Sequence, residues 1–167
     1  MDTLRDILEI VLLALILAIV IRVFVVETFL VDGPSMEPTM YTNERLLVLK
    51  LAYRVAEPKR GDIVVFRYPF DTSRDFIKRV IAQGGDTIEI RLGRVYVNGQ
   101  LRDEPYVQNP GLYQMSATKI PEGFLFVMGD NRVNSEDSRM FGPIKADLVK
   151  GKAIVRIWPP SKMGVMK

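Results

Sequence analysis

The sequence predicts a mainly β protein: an antiparallel β-sheet or barrel-like domain preceded by one N-terminal transmembrane helix. Three observations carry this. A long apolar run lies near the N-terminus, the pattern changes after Val26 to short β-type runs, and Gly, Pro and Asn punctuate the joints between those runs. With 167 residues, 48% hydrophobic and 26% charged, the chain can bury one core of its own. It contains no internal repeat and no low-complexity segment.

From Ile7 to Val26 the chain reads ILEIVLLALILAIVIRVFVV, with only Glu9 and Arg22 charged. Twenty helical residues rise about 1.5 Å each and so cross a hydrocarbon core of about 30 Å. Glu9 and Arg22 sit near the ends, where long side chains snorkel toward headgroups. The residues that follow, Glu27-Thr28-Phe29-Leu30-Val31, are β-branched and aromatic rather than small. That argues for a retained anchor over a cleaved leader. The chain therefore divides into an anchor segment, 1–26, and a β-rich domain, 27–167. Asp2, Arg5, Asp6 and Glu9 on one flank and Arg22 and Glu27 on the other leave orientation unset by charge.

Strands are predicted near Glu27 to Val31, Arg45 to Lys50, Asp62 to Tyr68, Phe76 to Ala82, Thr87 to Arg91, Arg94 to Val97, Phe124 to Met128 and Lys152 to Trp158. Val97-Asn98-Gly99-Gln100 is a two-residue hairpin signal, because Asn-Gly accepts the positive φ angles of a type I′ turn. Leu92-Gly93-Arg94 turns the preceding pair. Asp103 to Pro121 is the least patterned stretch and reads as a loop or subdomain edge.

Function narrows by elimination. No cysteine or histidine is present, which removes disulfides, thiol nucleophiles, His-ligated zinc and every Ser-His or Cys-His arrangement. The 23 Lys and Arg against 20 Asp and Glu are too balanced for a nucleic-acid binder; a membrane surface suits the mild positive excess as well. Asp71-Thr72-Ser73 lacks the glycine and the second copy of an aspartic-protease motif. The segment from Asp130 to Phe141 fails as a calcium loop, with Arg132, Ser135 and Phe141 at ligand and glycine positions. No metal and no nucleotide cofactor is implied.

Hydrolysis would then rest on hydroxyls, carboxylates or lysine. Of the six serines, Ser35 lies in Val31-Asp32-Gly33-Pro34-Ser35-Met36-Glu37-Pro38, where glycine and two prolines fix an irregular backbone that presents a hydroxyl. A serine needs a base, and a lysine serves only when neutral, which requires burial. Lys78 lies in the apolar run Phe76-Ile77-Lys78-Arg79-Val80, flanked on its own face by Phe76 and Val80. Lys50, in Val48-Leu49-Lys50-Leu51, qualifies by the same reasoning.

Three separated segments carry a family likeness. Gly33-Pro34-Ser35-Met36-Glu37-Pro38-Thr39, then Lys59-Arg60-Gly61-Asp62-Ile63-Val64-Val65-Phe66 with Phe76-Ile77-Lys78-Arg79-Val80, then Gly129-Asp130-Asn131-Arg132-Val133-Asn134-Ser135-Glu136-Asp137-Ser138-Arg139 resemble, in order, the sequence boxes of type I signal peptidases. These boxes fall at 33–40, 59–82 and 129–139, behind a membrane span as in that family.

The resemblance implies a membrane-bound serine endopeptidase with a Ser-Lys dyad that removes signal peptides from exported preproteins. It makes Ser35 the nucleophile and Lys78 the general base, the pair the search for a buried lysine also reached. It makes Ser135 the hydroxyl that orients the lysine, and Asp130, Asp137 and Arg139 the groups that brace the site. The Ser35 backbone N–H becomes an oxyanion donor; Gly33 stands where some relatives carry a side-chain hydroxyl. The spacing from Lys78 to Gly129 implies that the accessory domain of larger relatives is reduced or missing.

Specificity for small residues in an Ala-x-Ala pattern implies an extended substrate and shallow pockets, for which the match nominates Phe29, Val31, Met36, Met40 and Ile77. Phe66 and Phe76 are expected to desolvate Lys78. The implied partners are preprotein signal peptides and the lipid bilayer, without nucleic acid. The implied location is the cytoplasmic membrane, crossed once, with the β domain on the extracytoplasmic side. A related Ser-Lys peptidase of an organelle inner membrane is the alternative.

Overall fold

The computed structural model describes residues 2–166. Helix α1 (Asp2–Val20) continues into a π-helical turn, Ile21–Val25, and the apolar span Thr3–Val25 has a mean hydropathy of 2.9 with none of it buried against the domain. Its apolar side chains face outward all round, unburied by the rest of the chain. By length and composition it can cross a membrane once.

The chain then enters a large antiparallel sheet without a loop. Strand β1 (Val26–Leu30) pairs with β2 (Arg45–Leu49), and residues 31–44, which include Ser35, form the connecting loop. A short helix α2 (Ala52–Val55) leads to β3 (Ile63–Tyr68) and β4 (Asp71–Gln83). A four-stranded sheet follows: β5 (Thr87–Arg91), β6 (Arg94–Val97), β7 (Gln100–Leu101) and β8 (Met115–Lys119). The chain returns through β9 (Phe124–Met128), helix α3 (Ser138–Phe141), β10 (Ile144–Lys145), β11 (Val149–Trp158) and β12 (Gly164–Val165). The large sheet runs β1-β2-β11-β3-β4-β9-β10, with β12 on β11.

Strand periodicity distributes the core. On β3, Ile63 and Val65 join Val31, Met36, Met40, Leu46, Val48, Ile77 and Ala153, whereas Val64 and Phe66 point the other way, to Val80, Leu125, Val127 and Ile144. This strand is buried on both faces, which accounts for its unbroken apolar run. A third cluster joins the sheets, with Ile88, Ile90, Val95 and Val97 against Phe126 and Met128. The β4–β9 register slips between Val80 and Ala82, so Ile81 and Ala82 both enter that third cluster.

The predicted strands are all present, several with shifted ends. β4 begins at Asp71 rather than Phe76, because the polar half Asp71 to Asp75 pairs with β3 through a hairpin that no apolar alternation announces. β11 begins three residues earlier than expected. Within the unpatterned Asp103 to Pro121 stretch lies β8, an edge strand exposed along nearly its whole length, with no buried face to give it a period. Both expected tight turns form, with positive φ at Leu92, Gly93, Asn98 and Gly99.

Candidate active site

The loop after β1 is held from below and from the side. Met36 and Met40 are buried in the core. Gly33 takes a φ of +88°, a left-handed conformation that glycine adopts without strain. On the side, Asn131 donates its backbone N–H to the Ser35 carbonyl (3.1 Å) and its side-chain amide to that of Pro34 (3.1 Å). Ser35 is thus presented by a backbone fixed at both ends.

Lys78 reaches the serine from β4. Its side chain is nearly inaccessible, 4% exposed, and Nζ donates to Ser35 Oγ at 2.8 Å and to the Ile77 carbonyl at 3.0 Å. The Phe76 ring lies 5.1 Å from Nζ and itself packs edge-on against Phe66. Burial lowers the Lys78 pKa to about 8, although the carboxylates of Asp137, Glu136 and Asp130 pull the other way. Lys50, the rival in the sequence, lies elsewhere: its Nζ donates to the Val23 carbonyl at the end of the apolar helix, 2.8 Å away.

The segment between β9 and α3 closes the site through two buried carboxylates. Asp137, fully buried, accepts from Gly129 N–H (3.0 Å), Ser135 Oγ (2.7 Å), the Arg139 backbone N–H (3.2 Å) and, through both oxygens, the Arg139 guanidinium (2.8 Å each). Asp130 accepts from Arg79 Nε (2.9 Å) and Nη2 (2.7 Å) and from Thr39 Oγ1 (2.5 Å). Two-pronged guanidinium–carboxylate pairs of this kind fix orientation as well as charge.

Ser135 thus lies in the same loop cluster, its hydroxyl donating to Asp137 rather than to Lys78. Gly129 is what lets these parts meet: a Cβ there would collide with the Ser35 carbonyl oxygen and the Ser135 side chain.

A cleft of about 400 Å³ opens over the pair, lined by Phe29, Gly33, Ser35, Phe76, Ile77 and Lys78 and rimmed by Arg74 and Glu136. Of the nominated wall residues, Phe29 and Ile77 line it; Val31, Met36 and Met40 pack in the core beneath the serine loop. One side of the cleft is an unpaired strand edge, because β9 pairs with β4 only from Arg79 onward.

Several residues about the site were given no role there by the sequence reading. Arg79 pairs with Asp130, stacks its guanidinium 3.9 Å from the Tyr106 ring centroid and donates to the Gly61 carbonyl. Arg132 forms a two-pronged pair with Glu104 and donates to the Gly129 carbonyl. Glu136 accepts from Tyr68 Oη at 2.6 Å. Arg79 could have been found: an arginine in an apolar strand, on the face opposite Lys78, requires a carboxylate. Glu104 and Tyr106 lie in the unpatterned stretch and carried no signal.

With the site described, comparison with known proteins defines its class, the serine-type peptidases: a family model described as "Signal peptidase, peptidase S26" matches residues 4–158, and the chain belongs to that family. "Probable signal peptidase I-2" of Synechocystis sp. is 42% identical over 159 residues, 92% of this chain and 72% of its own length. Signal peptidase I of Leptolyngbya laminosa is 41% identical, covering 91% of this chain and 78% of its own. Thylakoidal processing peptidase 1 of Arabidopsis thaliana, a chloroplast protein, is similar at 34% identity over 90% of this chain and 47% of its own. The crystal structure of a signal peptidase I from Enterococcus faecalis matches with a TM-score of 0.50 at 33% identity, covering 58% of this chain and 97% of that one.

Proposed function

We propose that this chain is a membrane-anchored signal peptidase that cuts exported preproteins after an Ala-x-Ala site, with Ser35 as nucleophile and Lys78 as general base. The observation that carries the reading is the 2.8 Å contact between Lys78 Nζ and Ser35 Oγ, with Lys78 itself only 4% exposed. An amine so buried loses its proton near pH 8 instead of 10.5. In its neutral form it accepts the Ser35 proton through the same contact as Oγ attacks the scissile carbonyl.

The tetrahedral oxyanion then faces the Ser35 backbone N–H, held by the loop that Gly33 and Asn131 fix. Lys78 passes its proton to the departing amine, the bond breaks and an acyl-enzyme remains. Water, deprotonated by the same lysine, releases the acid and restores Ser35. Asp137 positions Ser135 and Arg139 beside this pair, and Asp130 fixes the strand that carries Lys78 through Arg79.

The preprotein lies extended between β1 and the open edge of β4, adding a strand through main-chain hydrogen bonds. Phe29 and Ile77 face the side chains nearest the cut, where small residues fit against them. The helix Thr3–Val25 holds the β domain at the surface of the cytoplasmic membrane, on the extracytoplasmic side where exported chains emerge. The organelle alternative is weaker, since the chloroplast relatives share less identity than the cyanobacterial ones.

The test is cleavage of a purified preprotein bearing an Ala-x-Ala site by wild type, Ser35→Ala and Lys78→Ala in detergent. Loss of about 10³-fold or more in kcat/KM is expected for each variant, with the native fold kept. A Lys78→Ala enzyme that retains its rate would remove lysine from the mechanism.

A further inference from the structure

The membrane helix meets the β domain at a charged cavity that the peptidase chemistry does not use. It is open on one side, has a volume of about 710 Å³ and is lined by Arg22, Val23, Val26, Glu27, Thr28 and Lys50. Pockets that hold small ligands have volumes of about 300–1,000 Å³. Lys50 donates to the Val23 carbonyl at 2.8 Å, fixing its ammonium at the last turn of the helix. Glu27 lies between two ammonium groups, 3.7 Å from Lys50 and 3.8 Å from Lys150, both beyond hydrogen-bond length. Lys150 is bound directly by Asp75 at 2.6 Å.

Arg22, in the last turn, forms no ion pair among the described residues. Lys50 and Lys150 therefore divide the carboxylates of Glu27 and Asp75 while Arg22 has neither, an excess of one positive charge where the chain leaves the apolar span.

That position is the headgroup layer of any bilayer the helix crosses. Charged residues resume at Arg22 and Glu27 on this side and end at Glu9 on the other, and a long arginine side chain snorkels toward the headgroups, so the hydrocarbon slab ends near this turn. We propose that this cavity binds the phosphate of an anionic membrane lipid, with Arg22 and Lys50 as its ligands. A zwitterionic headgroup would bring its own ammonium toward the lysines. A free phosphate would leave the Val23 and Val26 walls uncovered, whereas a lipid's glycerol and upper acyl chain cover them.

The proposal rests on the membrane-spanning reading of the helix. The full chain is reconstituted into nanodiscs of equal parts phosphatidylglycerol and phosphatidylcholine, and the lipids it retains on mild release are counted by native mass spectrometry. Wild type is expected to keep phosphatidylglycerol in preference. Arg22→Gln with Lys50→Gln, the second keeping a donor for the Val23 carbonyl, is expected to reduce that preference about fivefold per charge removed. Arg5→Gln, at the other helix end, is expected to leave it unchanged.

Equal retention of both lipids by wild type, or an unaltered preference in the double variant, would overturn the site while leaving the span intact. Erasure of the preference by added inorganic phosphate would make this a free-phosphate site and overturn the lipid assignment. A chain that does not enter the discs at all would overturn the span, and the site with it.

Discussion

At the scale of single residues, the molecule keeps an amine where water would rather hydrate it. Lys78 in the folded chain gives up its proton near pH 8, against 10.5 for an open lysine. The proposed base works only when neutral, so kcat/KM should rise as pH is raised through about 8 and level off above it; a flat profile from pH 6 to 9 would contradict the assignment. The same shift has a sign for stability. The unfolded chain binds more protons than the folded one between about 8 and 10.5, so stability should rise with pH across that window and be penalised throughout below it.

Lys78→Met removes the penalty and should stabilise the fold by up to about 3 kcal/mol at pH 7, read as a higher midpoint in urea, while abolishing cleavage. Ser135→Ala should cost about tenfold in rate, less than loss of the lysine, because its hydroxyl donates to Asp137. Ser35 and Lys78 were legible in the sequence because each is chemically out of place, a hydroxyl in a rigid turn and a cation in an apolar strand. The partners of Asp130 were not, since Arg79 and Thr39 reach it across 51 and 91 positions of chain.

At the scale of elements, the site depends on how one strand and two loops are pinned. β4 carries Lys78 on one face and Arg79 on the other, and Arg79 is clamped by Asp130 from the segment after β9. Asp130→Ala takes the carboxylate from a buried guanidinium and should destabilise the domain by about 3–5 kcal/mol, measurable by denaturant unfolding. Gly129→Ala should separate the serine loop from the Ser135 loop and lower activity more than stability, since the collision is with the Ser35 carbonyl. An alanine variant with wild-type kcat/KM would show that the close approach is not required.

Strand positions with two buried faces or clean alternation, such as β3 and β5, could be read from sequence. β8 and the first half of β4 could not, because polar edge segments take their structure from a partner strand and leave no period of their own.

At the scale of the whole molecule, an apolar helix and a β domain share one chain but little contact surface. None of the span is buried, so a chain beginning at Val26 should fold, lose membrane attachment and keep the unfolding midpoint of the intact domain. Co-unfolding of the domain on removal of the helix would contradict this. The helix was legible because continuous apolar composition is the strongest local signal a chain carries. The cleft was legible only through the family resemblance, which nominated Phe29 and Ile77 among its walls, because it arises only when β1 and the unpaired edge of β4 come together.

The most direct test of the Ser-Lys account is cleavage of an Ala-x-Ala preprotein by wild type beside Ser35→Ala and Lys78→Ala. The account predicts a cut after the second alanine by wild type alone, with both variants folded and inactive. Cleavage by either variant at the wild-type rate would contradict it.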